Sequence, residues 1–311
     1  MIGKAGALEN RGKTLARANR NKAAGISLTS ILILALSVHT ADALPQAAAV
    51  DLAPHRAIYD MSLHETVAGS NVSDVRGRLV FDFEGSVCAG FSLKSRLVTE
   101  IVDRDGNTMV TDLRSSTWEN AAGDKFRFDN SQYVDRRLSE QVTGQAARRK
   151  KADGIEVTLD KPQRRKLKLE GRALFPTQHS IAILEAAKAG YSVLQADVYD
   201  ASEQGKKLLQ TTTFIGKPSI ATATAASAKP ARIANADKLD GVASWPVSIS
   251  YYDVVDNPKK DTGVPAYELS FRLFANGVSE DLLINYGNFS ISGDLAGIEF
   301  RAAKACPAAK R

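Results

Sequence analysis

The sequence predicts a mainly β protein, one large antiparallel sheet with a single helix. Three observations carry that expectation: apolar and polar residues alternate with period two through most of the chain, Asp-Gly and Asn-Gly pairs punctuate the alternating runs, and only one segment has helical character. Alternation marks strands with one buried face, because successive side chains of a strand point to opposite sides. Leu79, Phe81 and Phe83 share a face against Asp82 and Glu84, and Phe91, Leu93 and Leu97 share one against Lys94 and Arg96. Phe126 and Phe128 flank Arg127, and Leu167 and Leu169 flank Lys168. Tyr267, Leu269, Phe271 and Leu273 form the clearest strand, and Phe289-Ser290-Ile291 leads into Gly293. Asp105-Gly106, Asp153-Gly154, Asp240-Gly241 and Asn276-Gly277 supply the positive φ that tight hairpin turns require. Spaced this way, the runs predict about a dozen strands.

The helix opens at Phe175-Pro176-Thr177-Gln178-His179, with proline tolerated in a first turn, and Gly190 ends it. Its Ile181, Ile183, Leu184 and Ala187 are expected to pack into the concave side of a curved sheet. Residues 221–238, rich in Ala, Thr, Ser and Lys, read as a long loop.

The N-terminal region has a different logic. Residues 1–22 carry six positive charges, 23–38 are apolar, and Ala41-Asp42-Ala43 places small residues where a signal peptidase accepts them. That order is a secretory signal peptide of 1–43 with cleavage after Ala43, leaving 44–311 as a single domain. A single membrane anchor is the competing reading, disfavoured by the short apolar core. No later stretch reaches spanning length, so no transmembrane span is expected after cleavage. The whole chain has 41 Lys+Arg against 35 Asp+Glu, and beyond residue 43 the balance is 35 against 33. Most of the basic excess belongs to the export segment, so a nucleic-acid partner loses its support.

Two cysteines, Cys88 and Cys306, are present. In an oxidising compartment the simplest reading is one disulfide; two buried thiols or one catalytic thiol are the alternatives. A bond between them would close a loop of almost the whole exported chain, worth up to about 5 kcal/mol in the chain-entropy picture. Arg148-Arg149-Lys150-Lys151 and Arg164-Arg165-Lys166 flank Asp153-Gly154, so a hairpin is expected to bring both onto one tip. Such a tip is either a charge-guarded sheet edge or a contact for anionic lipid headgroups or an acidic partner.

Motifs for chemistry are absent. His64-Glu65-Thr66-Val67-Ala68 starts like a zinc-protease helix but has Ala68 where a second histidine is needed. There is no nucleophile elbow, phosphate loop, dinucleotide turn or calcium loop. Asp82 and Glu84 share a strand face, which by itself is ordinary surface pairing. The expectation is no enzyme, no catalytic residue, no cofactor and no metal.

Several segments resemble the EipB cell-envelope-integrity family of alphaproteobacteria: Leu52-Ala53-Pro54-His55-Arg56-Ala57-Ile58-Tyr59-Asp60, Gly77-Arg78-Leu79-Val80, Cys88-Ala89-Gly90-Phe91, Phe175 to His179, Asn276 to Leu282, Asn285 to Phe289, and Cys306-Pro307. The resemblance covers essentially residues 50–307. It implies a periplasmic protein folded as a large open antiparallel β-spiral, half-barrel-like, with one helix crossing it. It also implies a disulfide joining Cys88 and Cys306, a role in envelope integrity under stress, and a periplasmic tetratricopeptide-repeat protein as partner. No catalytic residue comes with the family. Two functions follow as expectations: a protein-interaction scaffold stapled by the disulfide or, because the shape is similar to lipoprotein carriers, a carrier or binder of lipid or lipoprotein in a concave groove.

Overall fold

The computed structural model describes residues 50–149, 153–220, 236–253, 263–303 and Cys306. Residues 1–43, expected from the sequence to be a signal peptide, Lys150 and Lys151, and residues 221–235 of the Ala-rich stretch therefore lie outside the described residues. Residues 47–311 form one compact unit.

Alternating sequence becomes strand nearly throughout. The strands are β1 (His55–Thr66), β2 (Val72–Ser86), β3 (Gly90–Asp103), β4 (Thr108–Glu119), β5 (Lys125–Val134), β6 (Arg137–Arg148), β7 (Ile155–Lys161), β8 (Arg165–Leu169), β9 (Val193–Val198), β10 (Leu209–Ile215), β11 (Ser219–Ile220), β12 (Ala243–Asp253), β13 (Tyr267–Phe274), β14 (Ser279–Asn285) and β15 (Phe289–Phe300). The helix α1 (Pro176–Lys188) stands between β8 and β9. All strands join one sheet in the order β8-β7-β6-β5-β4-β3-β2-β1-β15-β14-β13-β12-β10-β9, with β11 on β12. Neighbours are antiparallel, and the long return is β15, which closes beside β1. The sheet is open: β8 and β9 are its ends. Just past β8, Leu174 bridges toward β9, donating to the Asp197 carbonyl at 2.7 Å and accepting from Tyr199 N–H at 2.9 Å.

Register assigns every strand residue to one of two faces. Paired in a row across β1 to β5 lie Ala57, Phe81, Ser95, Ser115 and Asn130, all on the inner face. One residue along, Ile58, Val80, Arg96, Arg114 and Ser131 are on the outer face. The inner face holds three apolar clusters. In the first, Phe83 and Phe91 from β2 and β3 meet Ile215, Trp245, Val247, Ile249 and Leu273 from β10, β12 and β13, with Ile183, Leu184 and Ala187 of α1 between them. Strands so far apart in the sheet can share a cluster only if the sheet curls around the helix. Full burial of Ile183 and Leu184 contributes roughly 3–6 kcal/mol. The second cluster lies under β5–β7, where Phe126, Phe128, Ile155, Val157 and Leu159 surround Phe175 and Tyr199. The third unites β1 with β13–β15 through Tyr59, Met61, Phe274, Ile291, Leu295 and Ile298.

Turn chemistry follows the sequence in three of four places. Gly106, Gly154 and Gly277 have positive φ and close the β3–β4, β6–β7 and β13–β14 hairpins. Gly241 also has positive φ, but it leads from a 3₁₀ turn (Ala236–Leu239) into β12 rather than closing a hairpin. That turn takes up the last residues of the stretch expected to be loop. Gly293 does not end its strand, because β15 runs on to Phe300. A Cβ there would stand 2.8 Å from Met61 Sδ, so glycine lets β15 lie close over that side chain.

The expected single basic tip is not formed. Arg148 and Arg149 lie where β7 begins, whereas Arg165 pairs with Leu159 near its other end. The turn at residues 162–164 makes a second hairpin, which carries the second basic run the length of β7 away from the first.

Candidate functional surfaces of the sheet

The histidines go separate ways. His64 is exposed near the end of β1. His55 is buried, with its Nδ1 2.8 Å from the Ala53 carbonyl and its ring stacked on Phe81; burial lowers its pKa against the opposing pull of that hydrogen bond and of Asp82. His179 sits inside the helix-to-sheet contact, its Nε2 3.4 Å from Thr211 Oγ1, and burial lowers its pKa to about 4. Among the described residues no three His, Cys, Asp or Glu side chains gather as a metal set, and no helix is long and apolar enough to cross a membrane.

Asp82 and Glu84 have a definite job. Both accept from Arg301 Nη1, at 2.5 and 2.7 Å, and Asp82 also faces Arg56 at 3.5 Å. Five residues beyond Arg301, Cys306 is bonded to Cys88 in the turn after β2, with Cα atoms 5.5 Å apart across a sequence separation of 218. An ion-paired clamp and a covalent staple thus hold the end of β15 to β2. Cys306 is exposed and Cys88 half-buried, so reductant can reach the bond.

Glu119 ends β4 and is 1% exposed. Its carboxylate accepts from the backbone N–H of Thr177 at 2.6 Å and of Gln178 at 3.3 Å, the orphan donors of the first turn of α1. Burial raises its pKa and these hydrogen bonds lower it. The N-cap itself, Phe175, offers no side-chain bond, so the cap comes from a residue 58 positions away. Arg148 completes the anchor from the other side: it donates to the Gly123 carbonyl at 3.0 Å and lies over the Phe175 ring at 5.4 Å. Arg148 therefore belongs to the helix seat, not to a basic surface.

The outer face divides in two. Over β1–β4 its arginines are paired with acids: Arg78 with Asp60 at 2.7 Å, Arg76 with Asp74 at 3.0 Å, and both Arg96 and Arg114 with Asp112 at 2.8 and 2.7 Å. Hydrogen bonds from Arg96 and then Arg114 hold Asp112 well below the usual carboxylate range. Over β5–β8 the register lines up Trp118, Arg127, Gln145, Thr158 and Lys166, one per strand from β4 to β8, beside a second row of Lys125, Ala147, Glu156 and Lys168. Arg127 lies over the Trp118 ring at 4.9 Å. Lys125, Arg127, Lys166 and Lys168 are exposed, and no acid among the described residues stands within ion-pair distance of them. Arg149 at the border bonds Glu170 at 2.7 Å. On the inner face, Met109 and Leu113 of β4 stay 40% and 41% exposed beyond the helix.

Comparison with known proteins identifies relatives. The EipB-like family model matches residues 46–302. The cell envelope integrity protein EipB of Brucella abortus is 37% identical over 260 residues, covering 83% of this chain and 88% of that protein. A crystal structure of a β-barrel-like protein of a domain of unknown function from Brucella abortus superposes with a TM-score of 0.71 at 34% identity, covering 82% of this chain and all of that one.

Proposed function

The chain belongs to the EipB-like family, and from that premise we propose that it is a non-enzymatic periplasmic protein that supports cell-envelope integrity as an interaction scaffold. The observation that carries this reading is the filled interior. Helix α1, capped by Glu119, occupies the curl of the sheet with Ile183 and Leu184 fully buried among aromatic side chains, which supports a role for the molecule's surface over one for an internal pocket. The disulfide and the Arg301 clamp tie the chain beyond β15 across β1 to β2. The basic, apolar, small-residue order at the N-terminus and the oxidised cysteine pair both fit export. A periplasmic tetratricopeptide-repeat protein is the partner to test.

Deleting the gene should sensitise cells to detergent and to cell-wall antibiotics, with resistance restored by the wild-type chain. Affinity capture from the periplasm should bring down the repeat protein. Unchanged resistance in the deletion strain would refute the envelope role.

One observation favours a second reading. Exposed Met109 and Leu113 on the inner face could seat an acyl chain, as a lipid or lipoprotein carrier requires. Leu113→Asp should abolish a copurifying lipid if the carrier reading holds, and should change nothing if the scaffold reading does.

A further inference from the structure

We propose that the outer face of β4–β8 is a docking surface for the phosphate headgroups of an anionic lipid bilayer. It does not depend on the scaffold reading, and it stands on register, charge and shape. A row of five side chains, one per strand, runs about 19 Å across the sheet at the usual strand spacing. Two of the five, Arg127 and Lys166, are cations, and Lys125 and Lys168 lie in the adjacent row. Together they form a two-dimensional positive field rather than a single line, with Glu156 inside it and Asp129 at its border, one row beyond Arg127 on the same face. Between the rows lies a shallow depression of about 690 Å³, lined by Lys125, Arg127, Gln145, Arg149, Glu156 and Thr158.

Each part suits a phosphodiester headgroup. Lys125 and Arg127 present charge at the depression, and Arg127 is already held in place against the indole of Trp118. Gln145 and Thr158 offer neutral hydrogen-bonding groups between the cations, matching phosphate and glycerol oxygens. Ala147 keeps the floor low. Trp118, half-buried at the rim, is the amphipathic ring that settles at a headgroup layer. The cations are spread from β5 to β8 rather than gathered around one cleft, which suits a plane of repeating phosphates better than a single acidic segment. The contrast with β1–β4 argues in the same direction: there the fold neutralises its own arginines with Asp60, Asp74 and Asp112 and leaves Lys94 without an ion pair, whereas here it leaves four cations unpaired, in both cases among the described residues.

The test is vesicle flotation of the oxidised protein. Vesicles of phosphatidylcholine with phosphatidylglycerol are compared with phosphatidylcholine alone, at low salt and at several times that ionic strength. The wild-type protein should float with the anionic vesicles, lose binding as salt rises, and ignore the neutral ones. Lys166→Gln with Lys168→Gln should weaken binding about thirtyfold at low salt, since each cation near such a surface counts for about a factor of five. Lys125→Gln with Arg127→Gln should do at least as much. Arg76→Gln with Arg78→Gln removes equal charge from the paired half and should change binding less than twofold. Melting curves for each variant establish that it is folded. Equal flotation with neutral vesicles, no flotation at all, or the same loss in the Arg76 and Arg78 variant would overturn the proposal. Binding to soluble polyglutamate without binding to vesicles would overturn it in favour of an acidic partner.

Discussion

The outer faces of β1–β4 and β5–β8 belong to one sheet, share its twist and its pleat, and treat charge in opposite ways. Over β1–β4, Asp60, Asp74, Asp82 and Asp112 each meet at least one arginine, and Asp112 meets two. Over β5–β8, Lys125, Arg127, Lys166 and Lys168 face solvent without an acid at pairing distance among the described residues. The first half also carries the staple, because Cys88 follows β2 and Arg301 clamps onto it. The difference teaches how one sheet divides its charge: the paired face is neutralised from within, and the unpaired face is left for something outside it. Exposed ion pairs stabilise weakly, so the paired half is better understood as neutralised than as strengthened.

The largest effect expected on this comparison comes from the staple. Cys88→Ser, Cys306→Ser or added reductant should lower the unfolding free energy by up to about 5 kcal/mol, read from the denaturant midpoint. Because the bond lies on the paired half, anionic-vesicle binding at temperatures where the chain stays folded should not change. Loss of binding on reduction alone would break the separation between the halves.

Acidification should strike both halves together through the helix that supports them. His179 titrates near 4 when folded and near 6.5 when unfolded, so between those values the unfolded chain binds the extra proton. Stability is therefore intact above about pH 6.5, falls by about 3 kcal/mol as pH drops toward 4, and is flat in this respect below that. Buried His55 shifts in the same direction. Glu119 and Asp200, the latter two residues past β9, are both raised by burial; they have the opposite sign and cost stability as pH rises past the ordinary carboxylate range. His179→Gln should remove much of the slope between pH 6.5 and 4 in urea titrations. An unchanged slope would place the acid sensitivity elsewhere.

Glu119→Ala comes next, at about 3 kcal/mol, because it strands two buried N–H donors at the helix start. Glu119→Gln keeps an acceptor and should cost about half as much. Hydrogen exchange at Thr177 and Gln178 should accelerate in both; protection equal to wild type would mean that another group caps α1.

The smallest stability effect sharpens the comparison most. Asp112→Asn should cost about 1 kcal/mol at neutral pH, and the variant should lack the stability that wild type loses as pH falls below the carboxylate range. It leaves Arg96 and Arg114 bare, making the paired half resemble the unpaired one. Its flotation with anionic vesicles should rise above wild type.

Local chemistry was legible in the sequence and long-range chemistry was not. Apolar alternation located β2, β3, β5, β8, β13 and β15, and Phe175-Pro176 with Gly190 bounded the helix. Strand β4 was missed because its inner positions include Thr111, Ser115 and Thr117, which blur the alternation. The β5–β6 hairpin turns through Asp135 and Arg136 at positive φ, with no glycine to announce it. The basic runs were misplaced because the sequence distance across residues 162–164 hides a second reversal. Glu119 gave no signal, since nothing within reach of it in the chain shows that a helix 58 residues away lacks a cap. Asp82 and Glu84 looked like an ordinary surface pair for the same reason: Arg301, their partner, lies 219 and 217 residues on.

A filled interior with its working surface on the outside is tested most directly by native mass spectrometry of the protein isolated from its own cells without detergent, followed by denaturing analysis of whatever accompanies it. A mass equal to residues 44–311 less two hydrogens, with no stoichiometric apolar adduct, is the expected result. A lipid or acylated peptide bound one-to-one and released on unfolding would contradict it, and would move the function from the outer face of the sheet to the inner one.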